Sequence, residues 1–214
     1  MGRAAPTGST EEHTVTEPVL ERFLTDAEER VLLHTIRRVN CVWARRDAAW
    51  MALMRQTGVR VQACSLLTLA DARESLRVGR LVLRAEVQKR KRSHEVPLTK
   101  RGQAAIRELL AVRRALGLPG LPDAPLVVGR GGRRLSVRSF QARMQYWRLA
   151  AGLTVDASPH WWRHTLGQRL VARSTASNPL LIVQAALGHA DLRTTAIYTR
   201  PTREDLALSM EEAA

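Results

Sequence analysis

The chain has 214 residues, 34 Lys and Arg against 20 Asp and Glu, and a formal charge of +14. This is enough chain for one well-buried domain, and the excess charge suits a polyanionic partner. With a hydrophobic share of 45%, no apolar run long enough to span a bilayer and no apolar secretory core at the N-terminus, a cytoplasmic protein without a membrane partner is expected.

Residues 1–22 include Gly2, Pro6, Gly8, Ser9, Glu11, Glu12 and Glu17 without apolar periodicity, the composition of a flexible tail. A domain is expected over 23–214. It opens at Thr25, which with Glu28 makes a capping box ahead of Val31, Leu32, Ile36 and Val39 at helical spacing. Asp47 is expected to cap a second helix carrying Trp50, Leu53 and Met54, which stops at Gly58 in a left-handed turn. Cys41 and Cys64 lack metal-ligand spacing and read as reduced core thiols.

Leu81, Leu83 and Val87, interleaved with Arg84 and Glu86, predict a strand. Lys89-Arg90-Lys91-Arg92 would form its turn, with 95–98 as the returning strand. Over 99–116 the set Ala105, Ile106, Leu109, Leu110 and Val112 faces one side of a helix, and a short buried segment follows at 126–128. Residues 130–148 contain Arg133, Arg134, Arg138 and Arg143 without one carboxylate, so the basic helix over 136–150 is the candidate for groove contacts with a polyanionic partner. Ser158-Pro159 starts a helix that places His160, Arg163 and His164 on one face. A helix over 180–187, a turn at Gly188 and a last short helix with Leu206, Leu208 and Met210 complete an α+β pattern, mainly α-helical with a small antiparallel β-sheet.

The chemistry concentrates in the last third. Arg163 offers a planar, permanently charged fork to phosphate oxygens, and His160 and His189 exchange protons near neutral pH. Tyr198 carries a phenol that becomes a nucleophile when cations or a base activate it. A single His-x-x-Arg is usually an exposed polar face. Here it stands in order with a downstream histidine and tyrosine, and that reverses the weighting. A zinc site at His160 and His164 would need the intervening glutamate of a metallohydrolase and a third ligand, neither of which the sequence offers. Tyr146, beside Trp147, reads as a stacking or packing residue, Trp162 as packing, and His13, His34 and His94 as bystanders.

His160-x-x-Arg163, then Leu187-Gly188-His189, then Tyr198, resembles the active-site signature of the tyrosine recombinases, the phage integrase family. Thr57-Gly58-Val59-Arg60 is similar to that family's first catalytic arginine motif, and Leu69-Ala70-Asp71 to the Asp-containing segment after it. Lys89, ahead of Val96-Pro97-Leu98, aligns with the hairpin lysine, with Lys91 as the competing register.

The resemblance implies the recombinase catalytic-domain fold over 23–214 and a site-specific DNA recombinase that works without a cofactor through a 3′-phosphotyrosyl intermediate; many members carry a helical domain ahead of the catalytic one, and the short stretch before Phe23 departs from that, so no separate N-terminal core-binding domain is expected. In that scheme Tyr198 attacks the phosphorus, Arg60 and Arg163 grip the phosphorane oxygens, Lys89 protonates the leaving 5′ oxygen, His160 assists deprotonation of Tyr198, and His189 binds the scissile phosphate. Arg90, Lys91, Arg92, Arg133, Arg134, Arg138 and Arg143 would contact DNA. The expected partners are double-stranded DNA, further copies of the chain in a synaptic tetramer, and accessory DNA-bending or recombinase proteins. The family usually carries an acid three residues after its first arginine; here the position is Ala63, so support for Arg60 or His160 must come from elsewhere. Two alternatives remain open, a noncatalytic DNA-binding protein of the same fold and a type IB topoisomerase-like enzyme.

Overall fold

The computed structural model describes residues 23–87, 93–188, 195 and 210–211. Helix α1 (Asp26–Arg38) begins at the expected capping box, where Thr25 Oγ1 accepts from the Glu28 amide at 3.2 Å and Glu28 Oε2 accepts from the Thr25 amide at 2.8 Å. Its first turn is also tied to the far end of the chain, since Asp26 and Glu29 pair with Arg169 at 2.5 and 2.6 Å. Arg169 holds the Asp26 carboxyl below its usual range.

Helix α2 (Val42–Thr57) is the axis of the core, burying Ala49, Trp50, Met51, Leu53 and Met54 against α1 and two later helices. It starts earlier than the sequence predicts. Cys41, not Asp47, is the cap: its sulfur accepts from the Ala44 amide at 3.3 Å. Cys41 is therefore exposed, whereas Cys64 is fully buried and burial pushes its thiol up to about 12.

Asp47 has different work, one turn inside α2. It is 0% exposed, and its Oδ1 accepts from Arg46 Nη2 at 2.7 Å and from Trp50 Nε1 at 3.0 Å. Its Oδ2 accepts from Arg143 Nε at 2.7 Å and from Trp147 Nε1 at 2.8 Å. A buried carboxylate is tolerated when every lone pair is used, and this one joins α2 to a helix about a hundred residues later.

Two short helices that the sequence reading passed over come next, α3 (Val61–Leu66) and α4 (Leu69–Val78). The second has its own capping box, Thr68 with Asp71, and Asp71 also accepts from Arg84 Nε at 2.7 Å. Strand β1 (Arg80–Leu83) pairs antiparallel with β2 (His94–Pro97), in a register running from Arg80 opposite Pro97 to Leu83 opposite His94. The strand predicted to reach Val87 ends at Leu83, because the chain turns into a 3-10 segment at Ala85–Val87. The tip residues Lys89, Arg90, Lys91 and Arg92 lie outside the described residues.

Helix α5 (Lys100–Ala115) starts at a Thr99 cap and packs its predicted apolar side along α2. The buried segment at 126–128 is held on both flanks, with the Leu126 amide donating to Leu67 at 2.8 Å and the Leu135 amide donating to Val127 at 3.0 Å. Helix α6 (Val137–Ala150) follows, and its Phe140 ring meets Trp50 edge-on at 4.9 Å. Helices α7 (His160–Arg173) and α8 (Pro179–Leu187) close the described fold. Among the described residues the architecture is thus mainly α-helical with one two-stranded antiparallel sheet, as the sequence predicts. Among the described residues no helix is long and apolar enough to cross a membrane.

Candidate active site

Two predicted site arginines, far apart in sequence, arrive at one place through a glycine. Gly58 ends α2 at φ +61°, the left-handed cap expected of it, and turns the chain so that Val59 and Val61 are buried on either side of half-buried Arg60. A Cβ on Gly58 would stand 2.5 Å from Leu187 Cδ2, so the turn is also pressed against the end of α8.

Arg163 enters from the first turn of α7 and is 7% exposed. Its Nη1 donates to the Gly58 carbonyl at 2.6 Å and its Nη2 to the Leu187 carbonyl at 2.5 Å. Two backbone carbonyls therefore fix the guanidinium, and a planar fork suits that geometry better than an ammonium would. The position where the family carries an acid, Ala63, is instead 2% exposed within the same apolar cluster as Trp162, which is 0% exposed. Trp162 is core packing, as predicted.

His160 is the first residue of α7 and open to solvent on one side. Desolvation by the protein around the ring, followed by the charges of Arg163 and Arg60, lowers its pKa from the usual 6.5. The neutral imidazole is favoured, which is the form that accepts a proton. Arg60, Arg163 and His160 thus share one electrostatic neighbourhood. A small cleft there is lined by Gly58, Arg60, His94, Arg163, Ala186 and Leu187 among others.

The end of α8 is fully accounted for. The last four carbonyls of a helix have no partner within it. Gln184 and Ala185 accept from the Gly188 amide, Ala186 accepts from His94 Nε2 at 3.3 Å, and Leu187 accepts from Arg163. Gly188 has φ +61°, and a Cβ on it would meet three ring atoms of His94 at 3.0 Å, so the imidazole lies face-on against the glycine. His94, expected from the sequence to be a bystander, packs against the end of α8. Its position at the root of the hairpin was visible in the sequence, but its contact with residues 186–188 was not. His189 and Tyr198 lie outside the described residues, as do Leu206 and Leu208 of the last predicted helix, whose third apolar residue, Met210, is helical and exposed.

Of the predicted DNA-contacting arginines within the described residues, Arg133, Arg134 and Arg138 are exposed. Arg143 is turned inward: besides binding Asp47, its guanidinium lies 4.5 Å from the Tyr146 ring and 5.2 Å from that of Trp147. Tyr146 is 53% exposed and stacks edge-on against Trp147, so it serves in stacking and not in the core.

Comparison with known proteins identifies the fold and family. The model of the phage integrase family matches residues 22–205. Tyrosine recombinase XerC of Methylobacterium sp. (strain 4-46) is 38% identical over 168 residues, covering 78% of this chain and 49% of the relative. The XerC of Shewanella amazonensis is 36% identical, covering 77% and 52%. The chain spans about half the length of the curated relatives it matches. Among solved structures, XerA recombinase superposes with a TM-score of 0.69 at 20% identity, covering 98% of this chain and 66% of that one. XerH recombinase in a pre-cleavage complex with its difH substrate has the same TM-score, 0.69, at 22% identity, covering 89% and 54%. At such identities these two neighbours speak for the fold alone, and the family match is carried by the sequence. The chain belongs to the phage integrase family and has the fold of a tyrosine recombinase catalytic domain.

Proposed function

We propose that this chain is the catalytic domain of a site-specific DNA recombinase and that Tyr198 is its nucleophile. The observation that carries this reading is the convergence of Arg60, His160 and Arg163 beside the end of α8, from which the chain leads into His189 and Tyr198. The Tyr198 oxygen attacks a backbone phosphorus and the bond from phosphorus to the 5′ oxygen breaks. The products are a 3′-phosphotyrosyl link and a free 5′ hydroxyl. The phenolic proton passes toward neutral His160, and Lys89 supplies the proton that the 5′ oxygen takes. Charge gathering on the phosphorane oxygens is met by Arg60 and Arg163, whose positions are prepared before substrate arrives, and by a hydrogen bond from His189. A 5′ hydroxyl from another strand reverses the step, so the energy of the broken bond is kept in the phosphotyrosine.

The substrate in this reading is double-stranded DNA. Solved neighbours in complex with DNA support it, as do exposed Arg133, Arg134 and Arg138 on a carboxylate-free stretch. Arg90, Lys91 and Arg92 would add backbone contacts from the hairpin, which position the protein without reading sequence. Arg143 contributes by holding α6 to Asp47 more than by touching phosphate. Exchange between two sites calls for a synaptic tetramer, with room for accessory proteins.

A supercoiled plasmid carrying two copies of the DNA beside the coding region tests this. Wild type should exchange strands between the copies, and Tyr198→Phe should not. Relaxation without exchange would replace the proposal with a topoisomerase-like activity, and binding without any breakage would make the protein a noncatalytic DNA binder.

A further inference from the structure

We propose that His94 is a positioning residue for Arg163, acting through the C-terminal turn of α8. Two side chains from different parts of the fold hold consecutive carbonyls of that turn: His94 Nε2 binds Ala186 at 3.3 Å, and Arg163 Nη2 binds Leu187 at 2.5 Å. The same imidazole lies flat against Gly188, where an added Cβ would stand 3.0 Å from each of its Cδ2, Cγ and Nε2 atoms. His94 therefore fixes both the direction of the last carbonyls and the height of the turn above the sheet.

Arg163 cannot supply this by itself. Its second anchor is the carbonyl of Gly58, and Gly58 is in turn packed under Leu187. The turn is thus a shared part: if it drifts, the Leu187 carbonyl and the Gly58 backbone both move, and the fork rotates away from the direction in which it meets phosphate. Strand β2 is the natural buttress, because His94 pairs with Leu83 across the sheet and Val96, two residues on, is 4% exposed in the core. His94 touches no reacting atom and acts only through the carbonyl and the glycine.

This inference rests on the strand-transfer reading above, and its test separates the two. Cleavage would be followed under single-turnover conditions on a nicked suicide duplex, with an ordinary phosphodiester and with a methylphosphonate at the scissile position. The methyl group removes the charge that a correctly placed arginine neutralises, so a variant whose fault is a misplaced arginine loses its handicap on that DNA. For His94→Ala we expect a cleavage constant lower by about ten- to a hundredfold on the phosphodiester, the scale of a small misplacement. DNA affinity should be unchanged, and on the methylphosphonate the rate should come close to wild type. His94→Gln, which retains an N–H donor, should recover part of the phosphodiester rate. His94→Phe, which retains only the flat ring, should recover less. An equal deficit on both DNAs, or wild-type cleavage by His94→Ala, overturns the inference while leaving strand transfer intact. If His94→Ala does not fold, the same comparison is made with His94→Gln and His94→Phe, and a ratio between the two DNAs identical to wild type in both overturns it. No adduct from wild type on the phosphodiester overturns strand transfer and this inference together.

Discussion

Arg163 Nη1 lies 2.6 Å from the carbonyl oxygen of Gly58, which joins the arginine of α7 to the turn that launches Arg60. Two site arginines more than a hundred positions apart are thereby tied to one stretch of backbone, Arg163 through its guanidinium and Arg60 through its place in the chain. Gly58→Ala should upset both. A side chain at φ +61° is strained, and its Cβ would overlap Leu187 at 2.5 Å. Left-handed strain and overpacking each cost on the order of 1–2 kcal/mol. Urea unfolding should show a loss of about 2 kcal/mol or more, together with a cleavage defect that persists at temperatures where the variant remains folded.

His160 predicts the acid side of the pH profile. The unfolded imidazole titrates near 6.5, and desolvation with the charges of Arg163 and Arg60 places the folded value lower. The neutral base therefore persists below pH 6.5, and single-turnover cleavage should decline only at more acid pH; His160→Gln should cut slowly and lack that limb. For stability the sign is the same. The folded protein binds this proton less readily than the unfolded chain, so the contribution is complete above pH 6.5 and is lost as pH falls through the folded value. An acid limb centred at or above 6.5 would contradict the assignment.

Asp47 should be among the most costly positions to change outside the site. Removing its carboxylate leaves Arg46, at 6% side-chain exposure, and two indole N–H groups without their acceptor. Breaking a buried pair on one side costs about 3–5 kcal/mol. Urea titrations should give that loss for Asp47→Ala and a smaller one for Asp47→Asn, which retains one oxygen acceptor.

The two thiols should differ in reactivity. Cys41 is exposed at a helix start, while Cys64 is buried with its thiol pushed up to about 12. A disulfide reagent should modify Cys41 in the native protein, and Cys64 only when denaturant unfolds the chain. Rapid modification of both without denaturant would contradict the packing of α3.

The parts of the fold that were legible in the sequence are those with local causes. Thr25 with Glu28, Thr99, Ser136 and Gly58 act through residues within a turn of themselves, and each begins or ends a helix as read. Asp47 was misread because its carboxylate is occupied by partners on α6, a tertiary relationship that leaves no local trace. Cys41 capped in its place, an unusual duty for a thiol. Arg143 looked like its neighbours Arg133 and Arg138, and only the fold shows its charge matched from below by Asp47. In the candidate site, Arg60 and Arg163 are legible as members of ordered motifs. The carbonyls that hold Arg163 were not, since any residue supplies a carbonyl, and His94 became visible only once β2 and α8 were seen side by side.

The residue that becomes joined to DNA decides whether Tyr198 is the nucleophile. Wild-type protein would be trapped on a nicked suicide duplex, the complex digested with protease and nuclease, and the nucleotide-bearing peptide sequenced by mass spectrometry. One adduct is expected, on Tyr198, carrying the 3′ phosphate of the cleaved strand. An adduct on Tyr146, a link through a 5′ phosphate, or no adduct on DNA that the protein binds specifically would contradict it.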